Sequence, residues 1–483
     1  MGCLAATGAV AVRMLDSHGV PDAIVREDRT MGSRGDEVLA SAGGEVVTAA
    51  EFKEEYVDYL LRTGTTDAPR LRWAVLARML NDRLLIADAT QDGIEHTVAY
   101  RKHQETVRKK LSIELYIERQ VLDTVSVGER DLEEAFVRMN TTVTARHLFA
   151  RTLEQAERLY DRLTAGESFE SLAREVFIDT SLANNGGSLG AFTFDEMDPD
   201  FEDAAFGLAV GEVSRPVRTA QGYSIIQVTD RFTKPILTET EFAERKERLR
   251  NLVLQKKRAQ ARSHFIRSTA DALDIRLQEP AFSLLLGQIT GSALIEPEEG
   301  DLALPLVEFA GGVWTLDEFR RRAADTDERH RAAVRTAADL KEFIQGLVVR
   351  QELLGRAEPL TSDPEFDAAV QHQMDEWVLE QKKEELAAAV QITDEDIRLH
   401  YASHPTEFLD DAGAPRPFEA VAPAIREQLR YTRTRQHVLE YVATLRQRHD
   451  VSLNESALLS LPIAGRSWEG LAARHPDHTE ANR

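Results

Sequence analysis

The sequence is poor in cysteine, in basic charge and in long apolar segments. Its single cysteine is Cys3, so no disulfide can form within the chain. No run of 18 or more apolar residues occurs, so the sequence predicts no transmembrane helix. Acidic residues exceed basic ones, 82 against 59, and the formal net charge is −23. That sign argues against a nucleic-acid-binding protein, which needs a basic face, and favours solubility.

Several catalytic motifs are also missing. No His-Glu-x-x-His motif occurs. The glycine cluster at 186–190 is not followed by a Lys-Ser/Thr helix start, so we interpret its glycines as turn formers rather than a phosphate loop. His400 and His404 are spaced to share a helix face and could bind a metal, but no third ligand is near and Pro405 ends the helix. The sequence therefore predicts no metal site.

The length of 483 residues allows two to four domains, and residues 1–36 predict a flexible tail because they are polar, glycine-containing and aperiodic. Within this tail, Gly2-Cys3 looks like the cleavage point of a bacterial lipoprotein signal. On that interpretation Cys3 carries the lipid that tethers the chain outside the cytoplasm. The alternative is an incidental cysteine in a disordered tail.

Helical patterns follow the tail. Thr48 with Glu51 three residues later forms a capping box, which predicts that a helix starts at Ala49. The periodicity of apolar residues predicts long helices at 49–62, 69–92, 96–123 and 238–273.

The most informative stretch runs from Val143 to Arg231. It predicts a strand, two helices, a turn-rich loop, a glycine cluster and a closing strand. In chain order these segments are 143–150, 153–165, 169–176, 179–185, 186–192 and 222–228.

These segments resemble the parvulin family of peptidyl-prolyl cis-trans isomerases, and the whole chain resembles the SurA and PrsA class of extracytoplasmic folding factors. The resemblance implies an α+β chain. A parvulin domain, a four-stranded antiparallel sheet with surrounding helices, is inserted in a mainly α-helical chaperone module, and a second copy of the module without a parvulin domain follows. The implied partners are unfolded or partly folded polypeptides with proline, in the periplasm or cell envelope. Rotation about a peptide bond breaks no covalent bond, so we expect no cofactor.

The resemblance also assigns site residues. The candidates for the proline socket are apolar: Leu189, Met197 and Phe201, with Phe206 behind them. Of these, Met197 and Phe201 match the positions that grip the proline ring in the family. The alternative for each is ordinary core packing, which fits Phe206 best. Met197 and Phe201 are less easily explained as core, because they stand in a predicted loop among acidic residues.

The polar residues at catalytic positions of the family are His147, Asp179, Thr219 and Ser224. Ser224 departs from the pattern, because many parvulins carry a second histidine there. A serine hydroxyl offers one oxygen where an imidazole offers two nitrogens on opposite sides of a ring, so serine cannot bridge as an imidazole does and we expect reduced isomerase activity. The alternatives are a non-enzymatic holdase whose parvulin domain only binds, and an assembly scaffold.

The helical parts contain an internal repeat. Three segments recur in order: 43–52 at 311–319, 125–136 at 390–401, and 242–277 at 418–453. We interpret this as a tandem duplication in which each copy folds from both flanks of an insertion point; chance similarity is the alternative. The predicted organisation is a tail at 1–36, a first module at 37–139 and 234–286, the parvulin domain at 140–233, a linker at 287–309, a second module at 310–458 and a tail at 459–483.

Overall fold

The computed structural model describes residues 37–219, 221–235, 238–290, 293–294, 299–409 and 413–463. Cys3, the predicted N-terminal tail and residues 464–483 lie outside this part of the chain. The described chain forms two compact units, and one of them combines segments that are distant in sequence. One unit contains Ser112–Ser362; the other combines the segment up to Leu111 with the segment from Asp363 onward.

The described residues contain both helices and strands, as the resemblance implied. The α-helices are α1 Ala49–Thr63, α2 Pro69–Gln91, α3 Val98–Gln120, α4 Glu129–Met139, α5 Leu153–Thr164, α6 Phe169–Val176, α7 Thr180–Asn184, α8 Pro199–Gly207, α9 Glu239–Ala272, α10 Ala281–Gln288, α11 Leu316–Ala324, α12 Glu328–Ala332, α13 Ala337–Ala357, α14 Pro364–Ala388, α15 Asp394–Ser403, α16 Phe418–Arg448 and α17 Glu455–Ser460. The strands are β1 Val38–Ala42, β2 Glu45–Thr48, β3 Thr141–Ala150, β4 Ser188–Phe192, β5 Val217–Thr219, β6 Gly222–Thr233, β7 Arg276–Leu277, β8 Ile289–Thr290, β9 Ala293–Leu294, β10 Pro305–Phe309, β11 Gly312–Thr315 and β12 Ser452–Leu453. No helix among these residues is long and apolar enough to cross a membrane.

The long helices α1 and α9 begin where the sequence supplies a capping box. Thr48 accepts a hydrogen bond from the Glu51 backbone while the Glu51 carboxylate accepts from the Thr48 backbone, so the predicted capping box is present. Thr238 and Glu241 form the same arrangement at the start of α9. Each box satisfies N–H groups that have no partner within the first helical turn.

The parvulin region forms the expected four-stranded antiparallel sheet, in the order β4-β3-β6-β5. The sheet has two apolar faces. Val143, Ala145, Ile226 and Val228 pack on one face beneath α8. Leu148, Ala150 and Ile225 pack on the other face beneath α5 and α6. This alternation places every second residue of β3 and β6 on the α8 face.

Three local expectations differ from the structure. The segment 179–185, predicted as a loop, contains the short helix α7, because Asp179 caps its first N–H groups. The predicted linker at 287–309 ends in β10, whose residues Leu306 and Val307 are fully buried and therefore belong to a core. The predicted tail from 459 begins inside α17, whose Leu458 is fully buried.

The small sheets pair strands differently from the expectation that each module folds from its own flanks. Strand β12 pairs with β1, so Leu453 lies opposite Ala40. Strand β7 pairs with β10, so Leu277 lies opposite Val307. The first predicted hairpin thus receives the last strand of the second module, and the second hairpin receives the last strand of the first. The module boundaries themselves remain a prediction from sequence.

Candidate active site

His147 lies on the central strand β3, on the sheet face that packs beneath α8. Its neighbour on β6 is Ile226, and the next residue on that face of β6, Ser224, lies opposite Phe149. The Ser224 side chain is buried, and its hydroxyl is 3.3 Å from Nδ1 of His147. Antiparallel pairing thus brings the histidine and the serine into one hydrogen bond, although 77 residues separate them in the chain.

The backbone of His147 is fixed by the glycine cluster. The His147 N–H donates to the Gly187 carbonyl at 2.9 Å. Gly187 has a φ of +76°, and a Cβ atom there would lie 2.1 Å from the His147 carbonyl oxygen. Only glycine fits this close approach of two backbone segments. The predicted turn glycine therefore sets the position of the histidine.

Two aromatic rings flank the imidazole. The Phe177 ring centroid lies 5.3 Å from that of His147, and Phe201 meets His147 edge-on at 5.8 Å. This burial disfavours the charged form and lowers the pKa of His147 to about 4. The imidazole is therefore neutral at physiological pH.

The apolar candidates gather in one cluster beside the histidine. Phe201 is 3% exposed and contacts Phe192, while Leu189, Met197 and Phe206 are partly buried against the same core. Phe206 packs edge-on against Phe192, which agrees with its interpretation as a core residue. The side chain of Met197 is thus among those on the accessible edge of an otherwise buried cluster.

Phe201 stands on helix α8, not in a loop as the sequence suggested. Asp198 caps this helix and accepts hydrogen bonds from the backbone of Asp200 at 3.0 Å and of Phe201 at 3.1 Å. Pro199 at the first helical position supports the same start. The cap fixes the direction in which the Phe201 ring enters the cluster.

The other two polar candidates, Thr219 and Asp179, form hydrogen bonds with backbone groups near them in the chain. The Thr219 hydroxyl donates to the Gly222 carbonyl at 3.2 Å and closes the turn between β5 and β6. Asp179 is exposed, and its carboxylate accepts from the backbone of Ser181 and Leu182. Among the described residues neither side chain is hydrogen-bonded to His147. Among the polar candidates, the structure therefore shows a hydrogen bond to the histidine for Ser224.

Sequence reasoning missed two residues of this site. Phe177 follows α6 and gave no signal beyond being apolar. Glu202 is fully buried, and its carboxylate accepts from the backbone N–H groups of Glu196 at 2.8 Å and Met197 at 3.0 Å. Glu202 directly follows Phe201 and lies beside the buried residues of α8. This position was the one signal in the sequence that could have indicated its burial.

Comparisons with known proteins identify the domain that contains this site. Residues 140–230 match the family described as "Rotamase: PPIC-type PPIASE domain". The chain is 30% identical to the foldase protein PrsA of Oceanobacillus iheyensis over 213 residues, which cover 40% of this chain and 68% of the relative. It is also 30% identical to the PrsA of Caldanaerobacter subterraneus over 231 residues, covering 41% of this chain and 75% of the relative.

Part of the chain is also similar in sequence to a protein of known structure. The parvulin of Nitrosopumilus maritimus is 39% identical, with 19% of this chain and 97% of that chain covered and a TM-score of 0.18. The expected parvulin resemblance is thus confirmed by the family match and by the PrsA relatives. The chain belongs to the PrsA foldase family and carries a PPIC-type peptidyl-prolyl isomerase domain at residues 140–230.

Proposed function

We propose that this protein is a peptidyl-prolyl cis-trans isomerase and chaperone that assists the folding of secreted proteins. It binds unfolded segments and isomerises their X-Pro bonds. The observation that carries the proposal is the convergence of His147, Ser224, Phe201 and Met197 on one face of the domain sheet.

Cis-trans isomerisation of an X-Pro bond is favoured by an apolar site that excludes water. Rotation about a peptide bond must cross a barrier of about 18–20 kcal/mol, and the uncatalysed X-Pro exchange takes tens to hundreds of seconds. Twisting the bond removes its double-bond character and its polarity, so an apolar surrounding favours the twisted form over the planar one. In this proposal Met197 and Phe201 hold the proline ring, and Leu189 extends the socket.

The polar residues supply orientation. His147, neutral and held between two rings, keeps its hydrogen bond with Ser224 and offers no charge that would attract water. In the proposal this pair faces the twisting amide, while Thr219 shapes the neighbouring turn. Asp179 acts by fixing the start of α7, the segment that follows Phe177. No step requires a nucleophile or a metal.

The location we propose is extracytoplasmic. PrsA relatives are foldases by name, and a folding factor for secreted proteins acts where those proteins fold. Acylation of Cys3 would add a lipid tether; this residue lies outside the described part of the chain, so the proposal rests on the Gly2-Cys3 sequence alone.

The direct test is an exchange experiment on an Ala-Pro peptide, with cis and trans populations followed by NMR. The full chain should accelerate exchange at catalytic concentration, and His147→Phe should lose most of this acceleration. A full chain that leaves the exchange rate unchanged would contradict isomerase activity.

Ser224 favours a second candidate, a holdase with a weakened isomerase site. Its hydroxyl stands where many parvulins have a second histidine, and a single oxygen cannot reach two separated partners as the two ring nitrogens of an imidazole do. A holdase would suppress the aggregation of a reduced, unfolded client equally well with and without His147→Phe. Suppression that disappears with that variant would argue against it.

A further inference from the structure

One buried carboxylate, that of Glu202, accepts hydrogen bonds from the backbone of the loop that carries Met197. This loop, residues 193–198, joins β4 to α8. Glu202 accepts the N–H groups of Glu196 and Met197, and the side chain is 0% exposed. A carboxylate buried to this degree needs a compensating charge, because transfer out of water disfavours the ion.

Lys256 of helix α9 supplies that charge. Its ammonium forms an ion pair with Glu202, and its side chain is 8% exposed. The same ammonium lies 4.1 Å from the ring centroid of Phe194, which belongs to the Met197 loop. Phe194 in turn packs against an apolar cluster between α4 and α9, formed by Leu132, Ala135, Phe136, Leu249 and Val253. The loop is therefore attached to the helices at two points.

Helix α9 makes further polar contacts with the isomerase domain. Arg267 pairs with Asp200 at 2.7 Å, in the first turn of α8 beside Phe201. Asp271 pairs with Arg218 at 2.7 Å, next to the turn that Thr219 closes. Arg267 and Asp271 thus connect α9 to residues that neighbour the proposed proline socket.

The predicted second module serves as an internal comparison, because its helices α15 and α16 correspond in sequence to α4 and α9. Contacts that hold the helix pair together recur at matching positions. Lys257 pairs with Asp131 at 2.6 Å, and Arg433 pairs with Asp396 at 2.6 Å. This recurrence supports the alignment of the two helices in this register.

Contacts to the isomerase domain do not recur. In the same register, Lys256, Arg267 and Asp271 of α9 correspond to Thr432, Ala443 and Gln447 of α16. All three charged residues are thus replaced by uncharged ones in the copy that has no isomerase domain. We therefore attribute these three charged residues of α9 to contact with the isomerase domain. Pairing between α9 and α4 does not explain them.

We propose that Lys256 is a positioning residue of the isomerase site, acting through Glu202 and Phe194 on the Met197 loop. The inference rests on the proposed function, since it concerns the same socket. In this proposal the contacts of α9 with the domain set the affinity of the socket for proline. The isomerase domain and α9 therefore act as one functional unit.

The test compares two adjacent lysines in the full chain. Lys256→Thr introduces the residue of the second copy, and Lys257→Thr is the matched control, because Lys257 pairs with Asp131 on α4. For Lys256→Thr we expect KM for an Ala-Pro peptide to rise about tenfold, with a smaller change in kcat, because the socket is misplaced rather than removed. The control should keep both constants within about twofold. Equal effects of the two variants would overturn the proposal.

A second variant addresses misfolding, because Lys256→Thr leaves Glu202 buried without its ion pair. The double variant Glu202→Gln/Lys256→Met removes both charges and keeps an acceptor for the loop N–H groups. We expect it to fold and still to raise KM. If the double variant matches the unaltered chain, the anchor has no positioning role.

A readout independent of turnover separates this inference from the proposed function. The methyl resonance of Met197, assigned by Met197→Leu, should shift in Lys256→Thr and stay in place in Lys257→Thr. An unaltered chain without isomerase activity would refute the proposed function only. An unmoved Met197 resonance in Lys256→Thr would refute the positioning role.

Discussion

The hydroxyl of Ser224 lies 3.3 Å from Nδ1 of His147, across the two central strands of the isomerase-domain sheet. Both side chains lie on the face that carries Phe201, so the hydrogen bond borders an apolar cluster. A neutral pair in this position orients the imidazole without bringing a charge into the socket. The pair is where this chain departs most from the parvulin pattern.

Removing the Ser224 hydroxyl should weaken catalysis. One buried hydrogen bond contributes about 0.5–1.5 kcal/mol, so Ser224→Ala should lower kcat/KM by roughly threefold to tenfold. Ser224→His should raise it above that of the unaltered chain, because two ring nitrogens can engage His147 and a second partner. Exchange spectroscopy on an Ala-Pro peptide measures both. Identical rates for Ser224→Ala and the unaltered chain would show that the hydroxyl is not used.

The lowered pKa of His147 predicts a pH dependence of stability. The unfolded chain protonates this residue near pH 6.5, whereas the folded chain does so only near 4. The unfolded state therefore binds more protons in between, and folding stability falls as pH drops from 6.5 to 4. At about 1.4 kcal/mol per pKa unit, the loss by pH 4.5 is about 2–3 kcal/mol. Isomerase activity should stay constant above about pH 5.

Urea unfolding at pH 7 and at pH 4.5 measures this effect. Carboxylates also titrate in this range, so His147→Gln is the reference for their contribution. The unaltered chain should lose more stability on acidification than the His147→Gln variant. An equal loss in both would mean that the imidazole is protonated in the folded chain.

Met197 and Phe201 should respond differently to truncation. Met197 is partly buried, so Met197→Ala should raise KM about tenfold with a small change in stability. Phe201 is 3% exposed, so Phe201→Ala should cost about 3–5 kcal/mol of folding free energy. Met139→Ala, at a methionine that is 40% exposed on α4, is the control. A Met197→Ala variant with unchanged KM would remove Met197 from the socket.

The role of Asp179 can be divided into capping and charge. Asp179→Asn keeps an oxygen that accepts from the backbone of α7, whereas Asp179→Ala does not. We expect Asn to retain activity and stability, and Ala to lose about 1 kcal/mol of stability. Thermal unfolding and the exchange assay check both. A large loss of activity in Asp179→Asn would instead assign the carboxylate a chemical role.

Strand β12 pairs with β1. We therefore expect the C-terminal segment to stabilise the core around the N-terminal strands. Leu458 is fully buried in the cluster that contains Leu39, whereas the adjacent Leu459 is 42% exposed. Leu458→Ala should cost about 2–5 kcal/mol, and Leu459→Ala less than about 0.5 kcal/mol. Hydrogen exchange should locate the effect in β1, which pairs with β12. Equal, small effects of the two variants would contradict this packing.

Much of the domain could be predicted from sequence because its signals are local. The capping box at Thr48, the turn glycines around Gly187 and the alternation along β3 act over a few residues. They set the helix starts and the strands without knowledge of distant partners. The α+β architecture and the four-stranded sheet were implied by the parvulin resemblance, and both are confirmed.

The sequence alone determined which residue types the site has, including a serine where a second histidine is common. Only the tertiary structure decided which of them meet. Strand register brought Ser224 to His147, and helix α9 brought Lys256 to Glu202. It also paired β12 with β1 and β7 with β10. The physical reason is that long-range partners are selected by the burial of whole faces, and sequence spacing carries no record of that choice.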